Sequence, residues 1–151
     1  MLFKPFFISK RPIKITLSIQ KILEKFYAAK QSYSEKKFID LIDHVENYLK
    51  DKDAQLDDAK NILLLKIAIL SCAYCHCISG DDFFAKMAID YIDKISQLPL
   101  SIYDRERYNL LRGKLNAATH KNSYELDYEI KNILSNIETG EQILTYDLIR
   151  V

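Results

Sequence analysis

Asp57-Asp58-Ala59-Lys60-Asn61-Ile62-Leu63-Leu64-Leu65-Lys66-Ile67-Ala68-Ile69-Leu70-Ser71-Cys72-Ala73-Tyr74-Cys75-His76-Cys77-Ile78 is the stretch that decides the fold. Asp57 stands where a helix opens, and no Gly or Pro follows before Gly80. A surface helix carries one apolar stripe; this segment is apolar nearly all round, as a helix surrounded by others must be. Its uncharged run extends only from Ile67 to Gly80. That is short of the roughly 18–20 residues needed to cross a bilayer, so a buried central helix is expected and no transmembrane segment.

Outward from this segment the apolar period stays helical. Upstream, Ile15, Ile19, Ile22, Leu23 and Phe26 make one stripe, and Phe38, Leu41, Ile42, Val45 and Leu49 a second. Between them Ser32 and Glu35 have capping-box spacing, which predicts a helix start at Ser32. Lys50-Asp51-Lys52-Asp53 is a polar break. Downstream, Ser79-Gly80-Asp81-Asp82 ends the central helix and caps the next, which carries Ala85, Ala88, Ile89, Ile92 and Ile95 and stops at Leu98-Pro99. Ser101 caps a fifth helix with Tyr108, Leu111, Leu115 and Ala118. After Lys121-Asn122-Ser123 a sixth holds Leu126, Ile130, Ile133 and Ile137. Thr139-Gly140 reads as a break before a short C-terminal helix over about 140–151.

The bulk numbers agree. The chain has 151 residues, 48% hydrophobic and 28% charged, with only Gly 3 and Pro 3. Strands need turn residues every 8–12 positions or so, and this chain lacks them. One all-α domain is expected over 15–151, behind a basic, aromatic N-terminal arm, 1–14. Residues 1–23 carry Lys4, Lys10, Arg11, Lys14 and Lys21 and no acid, so the remaining chain, at a formal total of +1, is mildly acidic. Such an arm suits nucleic acid, an anionic surface or an acidic partner; the plainer reading is a terminus whose Phe3, Phe6 and Phe7 tuck onto the body. Its apolar run lacks the length and cleavage site of a secretory signal. Three cysteines within six residues make no disulfide framework, so a reducing, cytoplasmic compartment is expected.

Short polar turns force helical neighbours to run antiparallel. The helices therefore pair as three hairpins, about 15–50, 57–98 and 101–138. In each second helix an apolar triplet steps by four and then three: Phe38-Ile42-Val45, Ala85-Ile89-Ile92 and Leu126-Ile130-Ile133. The middle pair resembles a tetratricopeptide repeat, best over 62–99. Ile69, Cys72, Ala73 and His76 fall on the large, leucine, small and aromatic positions of its first helix. Ala85, Ile89 and Ile92 fall on the small, aromatic and small positions of its second, with Gly80-Asp81 in the turn. The intervals between the triplets exceed that family's period of about 34 residues, and Pro99 stands two residues past the motif's proline. The resemblance implies a divergent TPR-like short solenoid that holds a partner segment in a concave groove built from first helices. The alternative is an irregular helical bundle. In size and helical layout the chain is also similar to bacterial secretion chaperones.

Cys72-Ala73-Tyr74-Cys75-His76-Cys77 contains C-x-x-C-H, the c-type haem attachment pattern. Haem attachment of that kind follows export, and no export signal is present. Cys72, Cys75 and His76 also share one helix face at i, i+3 and i+4, which makes them metal candidates, yet a structural zinc wants four ligands in a tetrahedron. The expected reading is small buried hydrophobes where helices meet, with no cofactor and no metal. Asp40, Asp43 and His44, and Asp104 to Arg107, read as solvated faces with local charge pairs. No phosphate loop, nucleophile elbow or metalloprotease motif occurs, so no catalytic residue is assigned and no enzyme is expected.

Ten tyrosines and no tryptophan suit half-buried and interface positions. Tyr27, Tyr74 and Tyr108, with Lys4, Lys10 and Arg11 on the arm, are the candidate partner-binding residues. The expected function is a non-enzymatic interaction module, an adaptor, chaperone or assembly subunit that binds a protein segment and forms homo- or hetero-oligomers. The alternative is a nucleic-acid or ribonucleoprotein component that uses the basic arm.

Overall fold

The computed structural model describes residues 18–51, 56–121 and 124–150, with side chains to residue 137. It is all-α: six helices and, among the described residues, no strand. They are α1 (Ile19–Ser32), α2 (Glu35–Lys50), α3 (Asp58–Ser79), α4 (Asp82–Ile95), α5 (Ile102–His120) and α6 (Tyr124–Arg150). The N-terminal arm 1–14, Ile15, Lys52-Asp53 and Asn122-Ser123 lie outside the described residues.

Side-chain oxygens start five of these helices by accepting an orphan backbone N–H, as N-caps do. Ser18 accepts from Lys21 N, Ser34 from Lys37 N, Asp57 from Lys60 N, Asp81 from Phe83 N and Ser101 from Asp104 N. The second cap corrects the sequence reading. Ser32 is the last residue of α1 and its hydroxyl donates back to Ala28 O at 3.0 Å, so Ser34 takes the capping role. Gly80 ends α3 in the left-handed region, where a Cβ is strained.

The predicted break at Thr139-Gly140 is also corrected: one helix of 27 residues runs from Tyr124 to Arg150, with no separate terminal helix. A helix-interior glycine costs only about 1 kcal/mol, and no proline follows to enforce a stop.

Each helix packs against the one before it, and α3 in addition touches α1 and α6. It is the hub the sequence announces, buried without interruption from Leu63 to Ala73. By length and composition alone α3 would cross a membrane; here 72% of its most apolar window is covered by the rest of the protein. Fully buried aliphatic side chains contribute roughly 1.5–3 kcal/mol each. The core therefore rests on Leu64 and Ile69 of α3 with Phe38 and Ile42 of α2, Phe84, Ile92 and Ile95 of α4, and Leu111 of α5.

Candidate functional site: a groove along α4

The sequence places alternating demands on α4. Phe84, Ala85, Ala88, Tyr91, Ile92 and Ile95 are buried, and this face packs on α3 and α5. Lys86, Asp90, Asp93 and Lys94 are exposed, while Met87 and Ile89 are half-buried. This second face floors a groove of about 920 Å³. One wall carries Glu46 of α2; the other carries Asn116, Thr119 and His120 at the end of α5. Phe83, Met87 and Ile89 supply apolar surface, and Asp81, Asp82 and Asp90 put acidic groups along it against Lys86 and Lys94.

Tyr91 ties the groove to the core. Its ring is buried and its hydroxyl donates to Glu46 Oε1. Glu46 in turn lies 3.7 Å from Lys50 Nζ. Burial pushes the Tyr91 phenol far up, and the Cys72 thiol and the Glu46 and Asp43 carboxylates beside it push the same way. Tyr91 is thus a fixed hydrogen-bond donor, not an acid. Lys94 lies over its ring at 5.4 Å. On the α5 side, Arg112 grips Asp93 through two hydrogen bonds of 2.8 and 3.3 Å. That grip holds the Asp93 carboxyl below its ordinary value.

The residues singled out from sequence do not assemble here. Tyr27 is 37% exposed on α1, edge-on to Phe26. Tyr74 is half-buried and stacked on Phe38, centroids 5.1 Å apart, with Tyr33 edge-on to it. It is a structural rivet between α2 and α3. Tyr108 is 1% exposed in the core and presents no accessible surface, a correction to its place among the binding candidates. Its helical register puts it in line with Leu111 and Leu115, so the apolar stripe claims it. Lys4, Lys10 and Arg11 lie outside the described residues. Tyr91, which does line the groove, was missed because its spacing from Ala88 and Ile92 reads as plain core.

Cys72, Cys75 and His76 are all buried. His76 Nδ1 donates to Asp81 O at 3.1 Å and so pins the α3–α4 turn, while Cys75 Sγ lies 3.9 Å from Glu35 O. Burial raises the Cys72 and Cys75 thiols well above their ordinary range. Cys77 rises to about 11, through burial and then the Asp127 carboxylate, with Lys131 opposing. Among the described residues no group of three His, Cys, Asp or Glu is placed to hold a metal ion.

Two charged faces prove structural. Lys66, on the core helix, is 4% exposed and meets Asp104 Oδ2 at 2.9 Å. Arg105 donates to Ser96 O at 3.0 Å and to Leu98 O at 3.1 Å, closing the α4–α5 link. Arg107 lies 3.3 Å over the Tyr103 ring. Asp43, read as solvated, is 6% exposed. A charge on an amphipathic helix reads as surface unless its partner, far along the chain, is known.

No family model, no curated protein and no solved structure matches the chain.

Proposed function

We propose that this chain is a non-enzymatic protein-interaction module, an adaptor, chaperone or assembly subunit, that holds a segment of its partner along α4. The observation that carries the reading is the groove itself. Phe83, Met87 and Ile89 offer it apolar surface, and acidic and basic groups beside them would set the register of a bound segment. The Tyr91 phenol donates to Glu46 across the groove. Helices packed serially on one another also support the finer picture of a TPR-like stack of hairpins. In such a stack the binding face is expected on first helices; the proposed seat here is on α4, a second helix. The three free thiols fit a reducing, cytoplasmic-type compartment.

The test is affinity capture from the native cell with three baits. The wild type and an Ile102→Lys control, altered at an exposed site on α5, should retain the same specific protein. A Met87→Lys/Ile89→Lys bait, folded by circular dichroism, should lose it by tenfold or more. A partner indifferent to the groove change, or the absence of any specific protein, would refute the reading.

A further inference from the structure

We propose that the segment seated on α4 is α4 of a second copy of this chain, packed antiparallel about a two-fold axis that passes between Lys86 and Asp90. The proposal rests on the reading of this face as a docking surface and names its occupant. Asp82, Lys86, Asp90 and Lys94 follow one another at intervals of four residues. Residues four apart are neighbours on a helix surface, so these make one row along α4, alternately acidic and basic. Lys86, Asp90 and Lys94 are exposed, and Asp82 is half-buried. Two apolar side chains stand astride the row. At 3.6 residues per turn, Met87 falls on one side of it and Ile89 on the other. Both are half-buried and line the groove.

Such a row complements itself when the second copy is turned end for end. In an isologous pair, residue i of one copy meets residue j of the other, and j meets i. About the proposed axis, Lys86 meets Asp90 of the second copy, and Asp90 meets Lys86 of the second copy. Farther out, Asp82 and Lys94 answer Lys94 and Asp82 of the second copy in the same way. Sliding the copies by one turn sets acid on acid and base on base. Running them parallel about a two-fold along the helices sets each charge against itself. The charges thus fix direction and register, as exposed pairs do, and add little strength. Met87 and Ile89 of both copies border the central pairs and supply the apolar burial that holds them. A formal net charge of +1 on the whole chain puts little repulsion between copies. One helix face is smaller than the roughly 800 Å² that each partner gives to a standard interface. The dimer is therefore reversible, and its population rises with protein concentration.

Sedimentation velocity of the purified full chain, run from low to high micromolar concentration, tests this. The wild type should pass from monomer to dimer. Lys86→Glu and Asp90→Lys, each alone, set like charges together at both central contacts and should raise the dissociation constant fivefold or more. Both fall on exposed residues, so the helical circular-dichroism spectrum should not change. Mixed one to one, the two variants should dimerise as the wild type does, because each answers the other's new charge. The same two changes placed in one chain should also restore the dimer. A wild type that stays monomeric, or a mixture no more dimeric than either variant alone, would overturn the proposal. If the proposal holds, the protein captured from the native cell is this chain itself. A monomeric wild type whose bait still retains a different protein, lost on Met87→Lys/Ile89→Lys, overturns this occupant and leaves the partner reading standing.

Discussion

Lys66 shows what a single residue does when the core helix carries a charge. A buried ammonium is tolerable only if paired. Asp104 pairs it from the first turn of α5, where helix polarity also favours an acid. Removing Asp104 takes away the carboxylate that the buried ammonium meets at 2.9 Å. Asp104→Asn should cost about 3 kcal/mol in urea unfolding, the low end for such a pair because the Asp104 side chain is 14% exposed. Adding Lys66→Met should restore most of that loss, since the buried charge is then gone. The thiols make a second residue-scale prediction. Cys72 and Cys75 ionise far above their ordinary value near 9, because burial opposes the thiolate. Their folded value is raised, so their contribution is fully present below pH 9 and is lost as pH rises. The unfolded chain then releases protons that the folded one keeps. Above pH 9 each buried thiol should cost about 1.4 kcal/mol per pH unit. Urea midpoints under reductant at pH 8 and 10 measure this, and Cys72→Ala should flatten the slope. Neither effect was legible from sequence beyond the expectation that the cysteines are buried. Lys66 and Asp104 stand on different helices, far apart along the chain, and no local pattern joins them.

At the scale of elements, legibility followed local chemistry. Asp57, Gly80, Asp81 and Ser101 act at helix ends as their types require, and all four stand where the sequence expects. The misplacements came where two signals compete over a few residues. Ser32 and Ser34 both offer a cap, and the left-handed turn at Tyr33 leaves Ser34 the one in position. Glycine misled once and informed once. Gly140 did not end a helix, whereas Gly80 did. The two roles separate under substitution. Gly113 lies inside α5, and a Cβ there meets nothing within 4 Å. Gly113→Ala should therefore stabilise by about 0.5–1 kcal/mol, through backbone entropy and helix propensity. At Gly80 an added Cβ also meets nothing, but the positive φ makes it strained. Gly80→Ala should destabilise by about 1 kcal/mol, the left-handed penalty for an L-residue. Thermal unfolding of the two variants should shift the midpoint in opposite directions; a shift of the same sign would contradict the backbone assignment.

For the whole molecule, the consequence of building around α3 is an uneven distribution of stability. Helices α1, α2, α4 and α6 all pack on it, and α5 reaches it through the Asp104–Lys66 pair, so α3 cannot open unless its neighbours have left. The α1 helix packs on α2 and α3, and its outer face, including Gln20, Glu24 and Tyr27, is solvated. Local opening follows buried apolar contact, and helices with little of it exchange their amides by fraying rather than by global unfolding. Hydrogen exchange should therefore give α3 residues 63–73 the full unfolding free energy and leave α1 below it. Leu64→Ala, a truncation in the hub, should cost about 2–5 kcal/mol and lower protection in every helix together. Truncating Leu23 in α1 should also lower global stability, by a similar transfer cost, but α1 alone should come to exchange markedly faster than the rest. If α3 instead exchanged no more slowly than α1, the core helix would not be the last element to open. The groove on α4 would then stand on a fluctuating support rather than a rigid one.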